Sequence, residues 1–508
     1  MIDSWVIWTT VVMSTCLLYL CQRKRHPLPP GPPTLPIIGN LHQFPSIAAQ
    51  REVFHEWHQQ YGPIVTLKLG PKVLLLLGNH KVASDLLDKR GAWYSDRPRM
   101  VMGGECVCRG LNTALRPYDA QWKLHRRLLS AFLNARTAAS YESVQDLESK
   151  QLLYEMLDTN DFSDRFIRYA GSILFSLAYG RRLTTGHEKE IHEILEVADV
   201  FVDSVMSGTW LVDVFPWLNH LPRFLAPWKR IGDEFYERTK DLFEKATQAA
   251  MGTDSWNWSK QIQSLKAADG VSAEELSYLV GELFEAGIDT TLGVYEIFVM
   301  ASVLHPDIVQ QAQREIDQVV GAERLPTFED FRNLPFVDAF IKEVMRWRPT
   351  IPSGVPHAAT QDDVYEGYHI PRGAIVLPNH WAIHLDEATF PNPMSFQPQR
   401  WIDNPDLPLN AFGFGRRACP GNHIAFSSLK LAICRLLWGF HIEHTRVDGR
   451  MVEVDSSKLV QKGILLRPEP FQASFRVRDE TRRKVVENQW LQSEPTANSI
   501  IAAALQPK

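Results

Sequence analysis

Several marks of specialised protein classes are missing from this chain. Six cysteines in 508 residues are too few for a disulfide framework and indicate a reducing compartment. The net charge of −5 is small for this length, so the overall charge does not indicate a nucleic-acid partner. No internal repeat is evident. With 45% apolar and 22% charged residues, the sequence is that of an ordinary globular chain able to bury a large core.

Long apolar runs are also rare, and the clearest one lies at the N-terminus. It extends from Trp5 to Cys21 without a charge, and three basic residues follow at positions 23–25. A secretory signal has its positive charge before the apolar run, so we expect a retained transmembrane anchor with a basic stop at residues 1–25. Basic residues stay on the cytosolic side, which predicts a cytosolic body. An interfacial or cleaved segment is the alternative.

The remaining chain divides into three parts. The prolines of "HPLPPGPP" predict a semi-rigid hinge at residues 26–45. Helical periodicity then dominates a large domain at 46–480, and a tail at 481–508 loses this periodicity and is expected to be mobile. Predicted helices cover 306–320, 333–348 and the residues after Pro420, and a small sheet is predicted over 63–78. The predicted fold is therefore mainly α with a small β part.

The longest predicted helix runs from Ser272 to Leu304. Ser272 and Glu275 are placed as a capping box, and Pro306 lies just beyond the end. At about 1.5 Å per residue such a helix would be roughly 50 Å long, enough to cross a large domain. We expect it to be a scaffold through the core.

The stretch "AFGFGRRACPG" surrounds Cys419 with three glycines and two arginines. The spacing F-x-x-G-x-R-x-C-x-G is met by Phe412, Gly415, Arg417, Cys419 and Gly421. A chance match in a chain of this length has odds on the order of 1 in 10,000. Pro420 suits the first turn of a helix, so Cys419 is predicted at a helix N-terminus, which favours a thiolate. A thiolate suits haem iron, the glycines would let backbone approach a flat macrocycle, and Arg417 could pair with a propionate.

This loop resembles the cysteine motif of the cytochrome P450 family, and other segments extend the resemblance. "KEVMR" and "FQPQRW" resemble the family's structural triad, here Glu343, Arg346 and Arg400. The second segment departs from the family's usual F-x-P-E-R-F at Gln399 and Trp401, which leaves the contacts around these two positions open. The resemblance implies a single large domain of the cytochrome P450 fold behind the N-terminal anchor.

Two further sets of residues take roles from this resemblance. "AGIDTT" places Asp289 and Thr290 inside the long apolar helix, where the family uses such a pair to supply the protons for dioxygen activation. "WKLHR" and "PHAAT" contain Trp122, Arg126 and His357, whose counterparts in the family bind the haem propionates.

Two other metal patterns are rejected on their ligands. His380 and His384 in "HWAIH" have the spacing of a zinc helix, but Trp381 stands where the glutamate of a zinc protease would be. Cys106 and Cys108 form a lone C-x-C and are interpreted as unpaired loop thiols. We therefore predict no metal other than haem iron, ligated by Cys419.

The family resemblance implies a haem-thiolate monooxygenase with haem b and dioxygen as co-substrate. It also implies electrons from NADPH through the flavoprotein NADPH-cytochrome P450 reductase. We expect a single-pass protein of the endoplasmic reticulum with its catalytic domain in the cytosol. A basic docking face is predicted from Lys123, Arg127, Lys430 and Arg435. The segment 209–228, rich in aromatics and prolines, resembles a loop that dips into the membrane.

The resemblance also implies a lipophilic small-molecule substrate, and no nucleic acid. Expected pocket walls are 101–111, 201–207, 284–291, 350–355 and 463–465, with Ser353 and Glu285 as polar contacts. The pattern looks most like that of fungal enzymes that tailor terpenoids, alkaloids or polyketides. Two alternatives stay open: a haem-thiolate isomerase or dehydratase that uses neither dioxygen nor a reductase, against which the intact "GIDTT" argues, and a non-catalytic haem-binding membrane protein.

Overall fold

The longest helix of the computed structural model, Ala273–Leu304, is the one that the sequence predicts. Ser272 caps it by accepting a hydrogen bond from the backbone N–H of Glu275 (3.1 Å). The Glu275 carboxylate instead binds Gln121 and His125 of a neighbouring helix (both 2.6 Å). Among the described residues it is the helix long and apolar enough to cross a membrane, but 78% of its apolar window is buried within the protein. It is therefore the central core helix, as expected.

The structure describes residues 13, 26–206, 209–497 and 499. Its α-helices are Gln50–Tyr61, His80–Ala83, Gly91–Tyr94, Ala120–Leu133, Ala135–Ala139, Glu142–Glu155, Phe162–Tyr179, Lys189–Ser204, Leu211–Val214, Pro227–Met251, Trp258–Ser264, Ala273–Leu304, Pro306–Val319, Pro335–Trp347, His380–His384, Gln399–Asp403, Asn422–Gly439 and Glu480–Ser493. Short 3-10 or π-helical segments are Leu41–Gln43, Ile47–Ala49, Ser84–Lys89, Val101–Val107, Pro216–His220, Arg223–Leu225, Lys266–Ala268, Phe328–Asn333, Gly415–Arg417 and Glu494–Thr496. The predicted membrane anchor at 1–25 lies outside the described residues, apart from Met13.

Twelve short strands accompany the helices in the described part of the chain. They are β1 Ile64–Leu69, β2 Lys72–Leu77, β3 His357–Ala358, β4 Asp363–Tyr365, β5 Tyr368–Ile370, β6 Ile375–Pro378, β7 Phe440–His444, β8 Arg446–Val447, β9 Arg450–Met451, β10 Leu459–Lys462, β11 Leu465–Pro468 and β12 Ala473–Val477. The mainly α fold with a small β part is confirmed, and the predicted sheet at 63–78 corresponds to β1 and β2.

The largest sheet has the strand order β1-β2-β6-β3. β1 and β2 are antiparallel, β2 and β6 are parallel, and β6 and β3 are antiparallel with His357 opposite Val376. This register fixes the backbone of His357 at the edge of the sheet. β10 and β11 form a separate hairpin whose turn reaches the central cavity described below.

The C-terminal segment differs from the predicted mobile tail. Residues 480–493 form a helix, capped by Asp479, which accepts a hydrogen bond from the Arg482 backbone N–H (2.9 Å). Val486 and Trp490 are buried one turn apart, and the Trp490 ring lies 6.3 Å from that of Tyr154. Only this narrow apolar stripe faces the core, so the sequence pattern was too weak to indicate an amphipathic helix.

Candidate active site

One cavity of about 390 Å³ lies between the central helix and the loop that carries Cys419. Its lining is mostly apolar. It includes all the predicted site residues outside the Glu343 triad, namely Trp122, Arg126, Asp289, Thr290, His357, Phe412, Arg417 and Cys419. The structure therefore brings together eight residues that are spread over nearly 300 positions of the sequence.

The Cys419 loop is held by backbone contacts. The Cys419 N–H donates to the Phe412 carbonyl oxygen (2.8 Å), and the thiol lies three residues before the helix Asn422–Gly439. The accessible surface of Cys419 belongs to the cavity wall. Burial raises the pKa of this thiol, although the Gly421 N–H and Arg126 both act to lower it. A bound metal ion would favour the thiolate further, in the same direction as the Gly421 N–H and Arg126.

Gly415 has a different role from the one expected. It has φ 53°, and a Cβ there would collide with the Leu87 carbonyl oxygen. Its N–H donates to Asp88 (2.6 Å), and it does not line the cavity, whereas Gly413 and Gly421 do. Glycine is thus required for packing of the loop on the Ser84–Lys89 segment rather than for approach to a flat ligand.

Three arginines form a cationic wall of the cavity: Arg97, which is buried, and Arg126 and Arg417, which are partly buried. Arg417 donates to the carbonyls of Ser95 and Arg116 (both 2.7 Å), and Arg97 donates to that of Pro356 (2.6 Å). None of the three forms an ion pair within the described part of the chain. Burial lowers the pKa of Arg417 to about 10 and that of Arg97 well below its usual value. Such cations call for an anionic ligand.

Trp122 and His357 complete this wall. The Trp122 ring lies 4.4 Å from the Arg417 guanidinium carbon and 5.8 Å from that of Arg126. The His357 ring forms a hydrogen bond with the Tyr94 carbonyl oxygen (2.7 Å), and burial lowers its pKa. A cysteine beside unpaired cations fits haem, which presents an iron and two carboxylates to the same cavity. Arg97 was missed in the sequence, since "SDRPR" has no distinguishing pattern of its own.

The opposite wall contains the central helix. The Thr290 hydroxyl donates to the Ala286 carbonyl oxygen (2.8 Å), and Asp289 pairs with Arg467 Nη1 (3.1 Å) from β11. Burial raises the pKa of Asp289, and Arg467 partly opposes this shift. Arg467 also lies 3.5 Å from Glu296. It is a second residue that sequence reasoning missed, because its relation to Asp289 depends on contact between distant segments.

The structure assembles the predicted triad away from the cavity. Glu343 is fully buried and accepts hydrogen bonds from Arg346 (2.7 and 2.8 Å) and Arg400 (3.2 Å). Trp401, one of the two departures from the family motif, adds its indole N–H (3.0 Å), and the Gln397 backbone adds another (2.8 Å). The Glu343 carboxylate thus has a complete set of donors, and tryptophan at position 401 strengthens the network.

Several predicted pocket contacts are revised. The wall expected from 101–111 comes instead from Asn112, Thr113 and Ala114, and Ser353 is buried outside the cavity lining. The other four predicted segments do contribute, through Phe201, Glu285, Thr350, Ile464 and neighbouring residues.

The predicted basic docking face is only partly present. Arg435 is buried, with 1% of its side chain exposed, and pairs with Asp146, so it cannot contact a partner. Lys430 pairs with Asp338. Lys123 and Arg127 are exposed, and Arg416 joins Lys123 at the ring of Tyr118.

The two other metal patterns of the sequence involve His380, His384, Cys106 and Cys108. His380 and His384 are buried, and no group of three or more histidine, cysteine or acidic side chains in the described residues could hold a metal ion. Cys106 and Cys108 are both free thiols.

Comparisons with known proteins agree with this geometry. The chain is 49% identical over 500 residues to the cytochrome P450 monooxygenase aneD of Aspergillus aculeatus. The matched region covers 98% of this chain and 96% of that protein. It is 46% identical to drtD of Aspergillus calidoustus (95% and 92%) and 45% identical to FrzL of a Cladobotryum species (93% and 91%), both also cytochrome P450 monooxygenases. These relatives give no support to the isomerase alternative.

Solved structures and a family model lead to the same assignment. A zebra fish cytochrome P450 with progesterone matches with a TM-score of 0.71 at 25% identity, over 84% of this chain and 99% of that one. Its structure with abiraterone gives 0.68 at 24% identity, over 84% and 100%. The cytochrome P450 family model matches residues 29–475. The chain therefore belongs to the cytochrome P450 family and is a haem-thiolate monooxygenase.

Proposed function

We propose that this protein hydroxylates, epoxidises or successively oxidises a lipophilic secondary metabolite such as a terpenoid, an alkaloid or a polyketide. The observation that carries the proposal is the single, mostly apolar cavity that joins Cys419, the cationic wall and the Asp289–Thr290 pair. The apolar lining of the cavity suits a lipophilic molecule. The relatives of the chain are fungal cytochrome P450 monooxygenases.

The cavity residues have distinct roles in this proposal. Cys419 would ligate the haem iron, Phe412 shapes the loop that carries it, and Trp122, Arg126, His357 and Arg417 would hold the propionates, with Arg97 as a further cation. When bound, a thiolate-ligated haem supplies the activation of dioxygen and the cleavage of its O–O bond.

Asp289 and Thr290 manage the protons that this reaction consumes. The Thr290 hydroxyl is oriented by its hydrogen bond to Ala286 and lines the cavity, so it can relay a proton there. Asp289 is largely buried but pairs with Arg467, which is about one-third exposed. This pair is a route by which a proton from the surface reaches the interior.

The electrons come from NADPH through a cytochrome P450 reductase. Lys123, Arg127 and Arg416 support a docking surface for an acidic partner: Lys123 and Arg127 share one helix with the cavity residue Arg126, and Arg416 belongs to the Cys419 loop. Such a surface steers the encounter with a negatively charged flavoprotein and makes the electron-transfer rate depend on salt.

The protein is attached to the endoplasmic reticulum membrane through residues 1–25. An exposed apolar surface supports contact with the lipid: Ile37 is 91% exposed, Phe224 83% and Trp217 64%. The two segments concerned are close, because Gly70 donates to the Ile38 carbonyl (3.2 Å) and also packs beside Phe215. Substrate would then enter from the membrane.

Two measurements test the proposal. Reduced membranes that contain the protein should give the thiolate-type Soret band with carbon monoxide, and Cys419→Ser should lose this band and turnover, while Cys106→Ser keeps both. Mass spectrometry should then detect an added oxygen in terpenoid, alkaloid or polyketide substrates, dependent on NADPH and reductase. A normal spectrum with turnover that needs neither would contradict the monooxygenase reaction.

A further inference from the structure

Glu285 stands out among the acidic residues of the central helix. It lies one turn before Asp289, lines the cavity and is only 5% exposed. Its Oε1 atom is buried without a hydrogen-bond partner, and no ion pair to Glu285 occurs in the described part of the chain. A carboxyl that is buried in the wall of a substrate cavity without a protein partner needs an explanation.

The neighbouring buried acids show the contrast. Glu282, one turn earlier, accepts a hydrogen bond from the Thr113 backbone N–H (2.8 Å). Glu296, nearly three turns later, accepts one from the Ser163 hydroxyl (2.7 Å) and lies beside Arg467. Both therefore have structural partners, whereas Glu285, which lines the cavity, has a buried carboxyl oxygen without one. A bound molecule is the partner that the fold leaves room for.

The charges around Glu285 favour a neutral ligand over a cationic one. Burial and the negative Glu282 raise the pKa of Glu285 to about 8, and the other titratable groups that interact with it are Tyr278 and Cys108, neither of which is cationic. Near neutral pH the carboxyl is mostly protonated, so it can donate one hydrogen bond and accept another. An ammonium group would have to be desolvated and would require the ionised carboxylate.

We propose that Glu285 anchors a neutral, lipophilic substrate by a hydrogen bond to a hydroxyl or carbonyl oxygen of that substrate. The inference rests on the proposed function and specifies its substrate class: a molecule that already carries an oxygen function. This hydrogen bond fixes the orientation of the substrate in an otherwise apolar cavity. The carbon that then faces Thr290 and Cys419 is the one that is oxidised. Glu285 is thus a specificity-determining residue.

The test uses the full-length holoprotein and four probes of one shape: adamantane, adamantanol, adamantanone and aminoadamantane. Dissociation constants are obtained from the change in haem absorbance on binding, without reductase. In Glu285→Leu, the Kd of the alcohol and the ketone should rise roughly fivefold or more, while that of adamantane should be unchanged or lower. Glu285→Gln can still donate and accept hydrogen bonds, so it should raise the Kd of the alcohol and the ketone less than Glu285→Leu does.

Glu296→Gln is the matched control, because its amide oxygen can still accept from the Ser163 hydroxyl and the residue does not line the cavity, and it should preserve the wild-type order of the probes. Equal changes for all four probes in Glu285→Leu would overturn the proposal, and so would a selective loss of aminoadamantane binding, which would indicate a cationic substrate. Because binding is measured without electron transfer, a failure of NADPH-dependent turnover contradicts the proposed function and leaves this result standing.

Discussion

The Glu285 carboxyl should make the folded protein progressively less stable as the pH rises, and replacing it with glutamine should remove this dependence. The pKa of Glu285 is raised from 4.5 to about 8 in the folded protein. Between pH 4.5 and about pH 8, the Glu285 carboxyl therefore keeps its proton in the folded state and releases it in the unfolded state. The stability contributed by this group is complete below pH 4.5 and is lost as the pH rises toward 8.

The size of the effect follows from these two values. Each pH unit between them changes the free energy of unfolding by about 1.4 kcal/mol. The loss is roughly 3 kcal/mol by neutral pH and about 5 kcal/mol in total. Most proteins have only about 5–15 kcal/mol of net stability, so the change is large enough to measure. Glu285→Leu should in addition gain about 1–3 kcal/mol at all pH values, because it removes an unpaired buried polar group.

The assay is urea unfolding of the holoprotein and its variants from about pH 5 to about pH 8, followed by tryptophan fluorescence. Other titrating groups cancel in the difference between the wild-type protein and Glu285→Gln, which should widen with rising pH. Glu282→Gln should reduce the dependence as well, because it removes a carboxyl whose own pKa is raised to about 7 and the charge that helps to raise the pKa of Glu285. The reasoning would be refuted if the difference in the free energy of unfolding between the wild-type protein and Glu285→Gln stayed constant over this pH range.

Three further predictions concern other parts of the site. Thr290→Ala should retain the haem spectrum but release more of the NADPH electrons as hydrogen peroxide, measured as peroxide per NADPH; an unchanged ratio would exclude a proton-relay role. Arg467→Met should raise the pKa of Asp289, because burial is then less opposed, and should move the acid limb of the turnover profile to higher pH. Trp401→Phe should lower the free energy of unfolding by about 1–3 kcal/mol, since it removes one donor to Glu343 and keeps an aromatic ring; an unchanged urea midpoint would show that the indole N–H is dispensable.

Local patterns in the sequence were sufficient for much of the fold and for most of the site residues. The central helix was predicted to within a residue, since its cap and its apolar length lie within one segment. The loop around Cys419 was found for the same reason, because five fixed positions within a stretch of ten residues form a specific signal. The C-terminal helix was missed because only Val486 and Trp490 mark its buried side.

The residues that were missed or misread depend on contacts between distant segments. Arg97 and Arg467 carry no local signal, and their importance follows only from the cavity wall and from Asp289, respectively. Arg435 has helical spacing typical of a surface residue, yet Asp146 and Ser149 bind it in the interior. Gly415 was assigned to the correct loop, but the neighbour that requires a glycine is Leu87, more than 300 positions earlier.

The cavity is also the place where the protein gives up stability. On one wall, Arg97 is buried and Arg126 and Arg417 are partly buried, all without a carboxylate from the described chain, and on the other, Glu285 is buried without a partner. Each arrangement destabilises the empty protein, and each is relieved by a specific ligand group: the haem propionates for the arginines and a substrate oxygen for Glu285. The triad around Glu343, by contrast, is fully paired. Within the cavity, the unpaired charged groups are the ones that a ligand would satisfy, and this predicts that Glu285→Leu will stabilise the protein while it weakens substrate selection.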